Sequence, residues 1–195
     1  MFLKDILSFF RKKKTRRGEI MEARRKAHEL YSDCFDVNEC IMQNKVSTDL
    51  DVILKRLGIK LFSVDMRELF PDTPNPEYDV SACITKEHDA FVIYVNQQES
   101  LVRRRFSVAH EIAHYYLGHL NDEDSFDICF RDYKSSKGSD FREIDANRFA
   151  STLLMPKEIV ITLFNLGLEV DDMAKRFKVS REAMSYRLKG LKLIR

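Results

Sequence analysis

The feature that most constrains this chain is the sequence His-Glu-Ile-Ala-His at positions 110–114. On an α-helix, residues four apart lie one turn apart on the same face, so His110 and His114 can offer two imidazole nitrogens to one divalent metal ion. Glu111 is then close enough to act on a water molecule beside that metal. The motif therefore predicts a zinc-dependent peptidase built around a rigid helix.

The residues around this motif have the spacing of a helix that is buried on one side. Apolar residues recur three and four positions apart, at Phe106, Ala109, Ile112, Ala113, Tyr116 and Leu117. A polar stripe contains Ser107, His110, Glu111 and His114. Gly118 is a suitable C-terminal stop. A polar stripe on such a helix needs partners, and a metal ion supplies them; the alternative is a pair of hydrogen-bonded core histidines with Glu111 as a surface charge.

A third metal ligand has to come from another part of the chain. A metzincin would require glycine at 117 and histidine at 120, but both positions are leucine. A second helix is predicted over residues 140–155, and its polar side carries Glu143 and, one turn later, Asn147. Catalytic zinc commonly takes two histidines and a glutamate, so Glu143 is a candidate ligand and Asn147 a candidate partner for a ligating histidine. Spacing leaves Asp145 as an alternative ligand.

Several other polar residues are candidates for the site. Glu143 also fits a helix-capping box with Asp140. Spare metal ligands are His119, Asp122 and Asp124, and possible donors to a reaction oxyanion are His88, Tyr115, Tyr116 and His119. Arg103–Arg105 lie near the start of the metal helix, where positive charge opposes the helix dipole. We expect at least one of these arginines to have a carboxylate partner or to face substrate.

The pattern before the metal helix predicts an α+β fold with a small sheet that contains an antiparallel pair. A short helix over residues 50–57 opens near Thr48 and closes at Gly58, and a strand follows over residues 59–66. A proline-rich loop occupies residues 70–79. Residues 81–85 and 90–96 then read as a hairpin leading into the metal helix, so an extended peptide could pair with the free sheet edge and lie over the metal. Residues 119–139 have no period and are expected to form a loop or flap.

Both ends of the chain differ from this core. Residues 34–45 read as a loose connection, and residues 1–17 combine an apolar run with a basic run, which suits either docking on the domain or weak contact with a membrane surface.

Residues 157–195 are helical and resemble a helix-turn-helix. Basic residues that could meet phosphates there are Arg181, Arg187, Lys189 and Lys192, although Asp171, Asp172 and Glu182 dilute them.

Composition sets broad limits on the class of protein. The 195 residues carry 33 Lys and Arg against 31 Asp and Glu, which gives a net charge of +2. This balance argues neither for nor against a nucleic-acid partner. The four cysteines form no C-x-x-C pair, and the apolar N-terminal run precedes its positive charge rather than following it, so we expect reduced thiols in a cytoplasmic protein.

Four stretches together resemble one family, the ImmA/IrrE metallopeptidases. They are IYVN, RRRFS, HEIAHYYLGH and EIDANRFASTLLMP. The resemblance implies a zincin-like, gluzincin-like fold in which His110, His114 and Glu143 bind Zn²⁺ and Glu111 is the catalytic base. It also implies a site-specific endopeptidase that cleaves a helix-turn-helix (XRE-type) repressor and so releases mobile-element or stress genes.

The expected organisation has three parts: an N-terminal helical extension over residues 1–45, a peptidase core over residues 46–156 and a helical C-terminal part over residues 157–195. A different function also fits the sequence. The chain could be a non-catalytic, zinc-containing regulator or toxin–antitoxin component that acts by binding protein or, less readily, DNA.

Overall fold

The computed structural model describes Gly18 and residues 21–69, 80–120 and 141–195. These residues form the mixed α+β fold that the sequence predicts. The first helix, α1, spans residues 21–34. The remaining elements are α2 (Val37–Met42), α3 (Leu50–Leu57), β1 (Lys60–Val64), α4 (Met66–Leu69), β2 (Ala82–Glu87), β3 (Ala90–Asn96), α5 (Leu101–Leu117), α6 (Phe141–Leu154), α7 (Lys157–Asn165), α8 (Val170–Phe177) and α9 (Arg181–Gly190).

The sheet has the strand order β1-β3-β2 in the part of the chain that the structure describes. Strands β2 and β3 form the predicted antiparallel hairpin, with Ile84 opposite Ile93. Strand β1 pairs with β3 in parallel, with Phe62 beside Tyr94. Strand β1 is shorter than the strand predicted over residues 59–66, since it ends at Val64. The short helix α4 follows at Met66, and Asp65 caps it by accepting a hydrogen bond from the Arg67 backbone N–H.

Helix α5 carries the histidine motif through the centre of the molecule. Ser100 caps its start by accepting a hydrogen bond from the Arg103 backbone N–H, and Gly118 ends it in the left-handed conformation at φ 74°. The apolar side of α5 packs against α6, β2 and β3. Ala109, Ile112 and Ala113 are completely buried there. This packing holds the polar stripe of α5 against the polar side of α6.

Two local features before the sheet differ from the sequence prediction. The stretch read as a loose connection over residues 34–45 contains α2, which Asp36 caps through the Glu39 backbone N–H. Helix α3 has the predicted bounds, but its cap is Asp49 rather than Thr48. The Thr48 hydroxyl instead donates a 2.8 Å hydrogen bond to the Leu153 carbonyl at the end of α6. Thr48 therefore makes a long-range contact with α6 instead of capping α3.

The C-terminal helices pack on the same core as the metal helix. Ser180 caps α9 by accepting a hydrogen bond from the Ala183 backbone N–H, and α8 begins at Val170. The core side chains from α7, α8 and α9 belong to one buried cluster with those of α5 and α6, and they are Ile159, Val160, Met173, Phe177, Met184 and Leu188.

Three predictions fall outside the described residues: the apolar and basic run over residues 1–17, the proline-rich loop over residues 70–79, and residues 121–139 with Asp122 and Asp124. Within the described ranges, no helix combines the length and apolar character needed to cross a membrane.

Candidate metal centre

Three side chains from two helices converge at the point where α5 crosses α6. His110 Nε2 lies 3.1 Å from Glu143 Oε2, and His114 Nε2 lies 3.2 Å from Glu143 Oε1. The two imidazole Nε2 atoms are only 2.9 Å apart. One ligand atom from each residue lies within 4.8 Å of the others, and the described residues contain no second cluster of this kind. The structure thus brings together the three residues that the sequence and the family resemblance single out.

The far side of each imidazole also has a partner. His110 Nδ1 is 3.1 Å from Asn147 Oδ1, one turn after Glu143 on α6, as the helix spacing predicts. His114 Nδ1 is 3.3 Å from Nδ1 of His119, which follows the glycine that ends α5. Such outer contacts fix the orientation of a ligating histidine and select the tautomer that presents Nε2 to a metal. His119 is therefore placed as a support for His114.

Glu111 lies beside this cluster and is almost completely buried, with 3% of its surface exposed. The backbone N–H of Ile84 on β2 donates a hydrogen bond to its carboxylate. Burial raises the pKa of Glu111 above its usual range, the two histidine charges oppose this rise, and the nearby Glu143 charge adds to it. Among the described residues, Glu111 Oε2 has no hydrogen-bond partner. A buried carboxylate oxygen of this kind needs an explanation.

Glu143 shows the opposite electrostatic behaviour. Burial alone would raise its pKa, but its contacts with His110 and His114 hold the pKa of that carboxyl well below its usual range. The carboxylate is thus ionised and lies within hydrogen-bonding distance of both imidazole Nε2 atoms. It can bridge two positive or hydrogen-bearing groups, or it can ligate a metal held between the same atoms.

The chemistry of the donor set decides between these two roles. An ionised carboxylate can only accept hydrogen bonds, and a neutral imidazole whose Nδ1 carries its proton has only a lone pair at Nε2. Two Nε2 atoms, the Glu143 carboxylate and the partnerless Glu111 oxygen therefore bring acceptors together without matching donors. A divalent cation that prefers nitrogen and oxygen ligands resolves this imbalance, so the residues present fit a metal.

The other candidate residues have different surroundings. Asp145, the alternative ligand, lies 3.2 Å from Arg148 and is not part of the cluster. The ring of Tyr115 packs on Phe91, that of Tyr116 packs on Phe149, and His88 is exposed in the β2–β3 turn. Among these candidate oxyanion donors, His119 contacts the converging residues through the Nδ1 atom of His114.

The arginines at the start of α5 are held by polar partners. Arg103 has the expected carboxylate partner, because its Nε is 3.5 Å from Glu99. Arg104 donates to the hydroxyl of Ser63. Arg105 donates to the hydroxyl of Ser47 and to the carbonyl of Thr48. These contacts tie the start of the metal helix to β1 and to the entry of α3.

Sequence reasoning did not find the contact between Ile84 and Glu111. Ile84 looks like an ordinary buried strand residue, and its contribution is a backbone N–H rather than a side chain. The sequence did show that a hairpin leads directly into the helix of the histidine motif, so a sheet edge near Glu111 could be expected. It did not show which strand residue would face Glu111.

Comparison with known proteins agrees with this geometry. The profile of the IrrE N-terminal-like domain matches residues 54–189. Two relatives, each named radiation response metalloprotease IrrE, are 34% identical over 101 residues in Deinococcus deserti and 30% identical over 106 residues in Deinococcus radiodurans. These matches cover 50% and 52% of this chain but only 35% and 31% of the relatives, so the chain spans about a third of their length.

A solved structure named Mycobacterium tuberculosis transcriptional regulator superposes with a TM-score of 0.51 at 19% identity, covering 86% of this chain and 46% of that one. At this identity the likeness concerns the fold alone. The domain match, by contrast, covers most of the chain and includes both α5 and α6, the helices that carry His110, His114 and Glu143. The chain therefore belongs to the ImmA/IrrE family of metallopeptidases, as a carrier of the IrrE N-terminal-like domain.

Proposed function

We propose that this protein is a zinc-dependent endopeptidase with a zincin-like, gluzincin-type site, in which His110, His114 and Glu143 hold the metal and Glu111 is the catalytic base. The observation that carries the proposal is the convergence of three ligand atoms within 4.8 Å beside a buried carboxylate oxygen that has no partner among the described residues. Two imidazoles and one carboxylate form a common ligand set of catalytic zinc, which leaves a fourth position for water or substrate.

The mechanism follows from the positions of the protein side chains. His110, His114 and Glu143 would hold the zinc, which would supply Lewis acidity for the hydrolysis of a peptide bond. Glu111 takes up the proton of the attacking water at its free oxygen and returns it to the leaving amine. The raised pKa of Glu111 makes its carboxylate a stronger base for the first step, and its buried position keeps the acquired proton close to the leaving amine. The Ile84 N–H holds the carboxylate in place during the transfer.

The edge of β2 is the proposed seat of the substrate backbone. Within the described sheet β2 pairs only with β3, and its Ile84 N–H points to Glu111 rather than to the neighbouring strand. An extended peptide that adds to this edge would lie across the metal centre, with main-chain hydrogen bonds providing affinity and side-chain pockets providing selectivity. This arrangement supports endopeptidase rather than exopeptidase activity, because the edge extends on both sides of Ile84.

The proposed substrate is a helix-turn-helix repressor of the XRE type, in the cytoplasm. The family resemblance supports this class, and the relatives named radiation response metalloprotease are consistent with a regulatory role. In this proposal residues 46–156 form the peptidase core, and residues 157–195 complete the fold as a helix-turn-helix-like part.

The alternative is a non-catalytic regulator that acts through DNA or protein binding. The burial and ion pairing of the C-terminal basic residues argue against DNA binding. Arg187 is buried, and Arg181 pairs with Asp171 at 2.8 Å. Of the four basic candidates in this part of the chain, only Lys189 and Lys192 are exposed and have no ion pair among the described residues, and two lysines are too few for a phosphate-binding stripe.

The decisive test is cleavage of the XRE-type repressor encoded beside this gene. Wild type, Glu111→Gln, metal-depleted protein and the exposed control Glu182→Gln would be incubated with the repressor, and the products identified by mass spectrometry. We expect cleavage at one bond by wild type and Glu182→Gln only, with zinc still bound to Glu111→Gln. A repressor that binds tightly but stays intact with every sample would overturn the peptidase proposal and favour the regulator.

A further inference from the structure

A second concave site lies behind the metal centre. A groove of about 300 Å³ is formed where α1, α6 and α9 meet. Its lining includes Arg24 from α1, Asn147, Arg148 and Thr152 from α6, and Tyr186 and Arg187 from α9. Asn147 belongs to both places, because it lines the groove and also contacts His110 at 3.1 Å. An occupant of the groove would therefore lie one side chain away from a proposed metal ligand.

The charges around this groove are unbalanced. Three guanidinium groups line it and no carboxylate does. Arg148 has a partner outside the lining, Asp145 at 3.2 Å. Arg24 and Arg187 have no ion pair with any residue in the part of the chain that the structure describes, and Arg24 is exposed.

Arg187 is the unusual member of this set. Only 8% of its surface is exposed, yet it donates only to neutral oxygens: its Nε to the Met155 carbonyl at 3.0 Å and its Nη1 to the Thr152 hydroxyl at 3.4 Å. A buried charge normally has a partner of opposite sign. Burial, together with the nearby Arg24 charge, lowers the pKa of Arg187 to about 10, and the charge of Glu158 only partly opposes these effects. An anion in the groove would supply the missing charge.

We propose that this groove binds the phosphoryl group of a small soluble molecule. Planar guanidinium groups offer paired N–H donors that match phosphate oxygens, and the hydroxyls of Ser151 and Thr152 add further donors to the same lining. The volume is at the lower end of the range for small-molecule sites, so it accommodates more than a bare phosphate. Tyr186, which is 69% exposed, offers a flat surface for a ring in the rest of the ligand.

A small ligand fits better than a nucleic-acid backbone. The arginines surround one concavity instead of following a line, and Arg181, the basic residue at the start of α9, already pairs with Asp171. Backbone binding requires a row of phosphate contacts, whereas one guanidinium cluster suits a single phosphoryl group.

Calorimetric titration of the zinc-loaded full chain tests this proposal, with inorganic phosphate and adenosine monophosphate as the probes. The test variant is Arg24→Gln/Arg148→Gln. The matched control is Arg25→Gln, because Arg25 follows Arg24 on the same helix but pairs with Glu22 and Glu29 outside the groove. We expect both probes to bind wild type and the control, with the nucleotide tighter. Affinity should fall by about tenfold or more in the double variant.

Each other outcome contradicts the proposal. Failure of both probes to bind wild type would overturn it, and so would equal binding by the double variant, which would place phosphate at the metal centre or elsewhere. A short DNA duplex that binds wild type more tightly than the nucleotide does, and that loses this affinity in the double variant, would replace the small-molecule ligand by a nucleic acid. Circular dichroism checks folding, and the exposed single change Arg24→Gln serves as the test if the double variant is unfolded.

Discussion

Two clusters of buried polar side chains contact α6, one at each end of the helix, and they differ in how well hydrogen-bond donors and acceptors match. Near the C-terminal end of α6, Arg187 donates to the Met155 carbonyl and the Thr152 hydroxyl. Near the N-terminal end, Glu143 meets His110 and His114 while an oxygen of Glu111 has no partner among the described residues.

The first cluster contributes to the fold without any added group. A helix end leaves its last carbonyls without intrahelical donors, and the Arg187 guanidinium satisfies one of them. The contact joins α9 to α6 and so connects the C-terminal helices to the packed pair α5 and α6. In this cluster the Arg187 donors meet oxygen acceptors, and what remains unmatched is the positive charge of Arg187.

The second cluster is incomplete as a set of hydrogen bonds. Its members are mainly acceptors, and the two imidazole Nε2 atoms face each other at 2.9 Å. Such an arrangement is costly unless a cation lies among the acceptors, because buried lone pairs without donors lose their hydration. The comparison teaches that a balanced buried cluster contributes to stability, whereas an acceptor-rich one has the chemistry of a cation-binding site.

The largest expected effect concerns Glu111. Replacing it by glutamine removes the proposed base while keeping its size, so the rate of repressor cleavage should fall by about 10²–10⁴-fold. Zinc content, measured by atomic absorption, should stay at the wild-type level. Wild-type cleavage rates in this variant would show that Glu111 is not the base.

Next in size is the effect of Glu143→Gln on the metal. This change weakens one of the three proposed ligands, so zinc affinity should fall by more than the roughly 10- to 100-fold loss known for outer contacts. The rise in melting temperature on adding zinc should shrink accordingly. Asp145→Asn is the matched control, two positions along α6, and should bind zinc like wild type. Equal zinc affinity in Glu143→Gln and Asp145→Asn would exclude Glu143 as a ligand.

Smaller effects are expected from the residues behind the imidazoles. Asn147→Ala and His119→Ala each remove a partner of a histidine Nδ1, and each should weaken zinc binding by about 10- to 100-fold. Competition with a chromogenic chelator measures this change, and Ser151→Ala, one turn beyond Asn147, is the control. Unchanged affinity in both variants would mean that His110 and His114 are oriented without these contacts.

The smallest effect should come from the balanced cluster. Arg187→Met leaves the Met155 carbonyl without its donor, so the free energy of unfolding should fall by about 1–3 kcal/mol while zinc affinity stays the same. Urea unfolding of the metal-free protein measures the change. The exposed pair of Arg181 with Asp171 provides the contrast, since Arg181→Gln should cost less than about 1 kcal/mol. A large loss of zinc affinity in Arg187→Met would show that the two clusters are coupled.

The parts of the site that depend on local spacing could be predicted from the sequence. His110 and His114 share a helix face because they are four residues apart, and that relation needs no tertiary information. Glu143 was harder to predict, since spacing favoured it only weakly over Asp145 and the family resemblance was needed to strengthen that choice. The structure separates the two carboxylates by their partners: Glu143 meets the imidazoles and Asp145 meets Arg148.

Features that depend on distant contacts could not be predicted. Thr48 looks like a helix cap, but its hydroxyl is used by Leu153, 105 residues away, and Asp49 caps the helix instead. The parallel pairing of β1 with β3 joins strands between which α4 and β2 lie in the sequence. Helix α2 was missed because only a short segment is helical, and it is held by its Asp36 cap and by packing against α7.

The most direct test of the central claim is a crystal structure of the zinc-soaked protein with anomalous diffraction at the zinc edge. We predict one ion at about 2.0–2.2 Å from His110 Nε2, His114 Nε2 and a Glu143 oxygen, with Glu111 outside the coordination shell. An ion bound elsewhere, or one whose fourth position is closed by Glu111 or another side chain, would contradict the account.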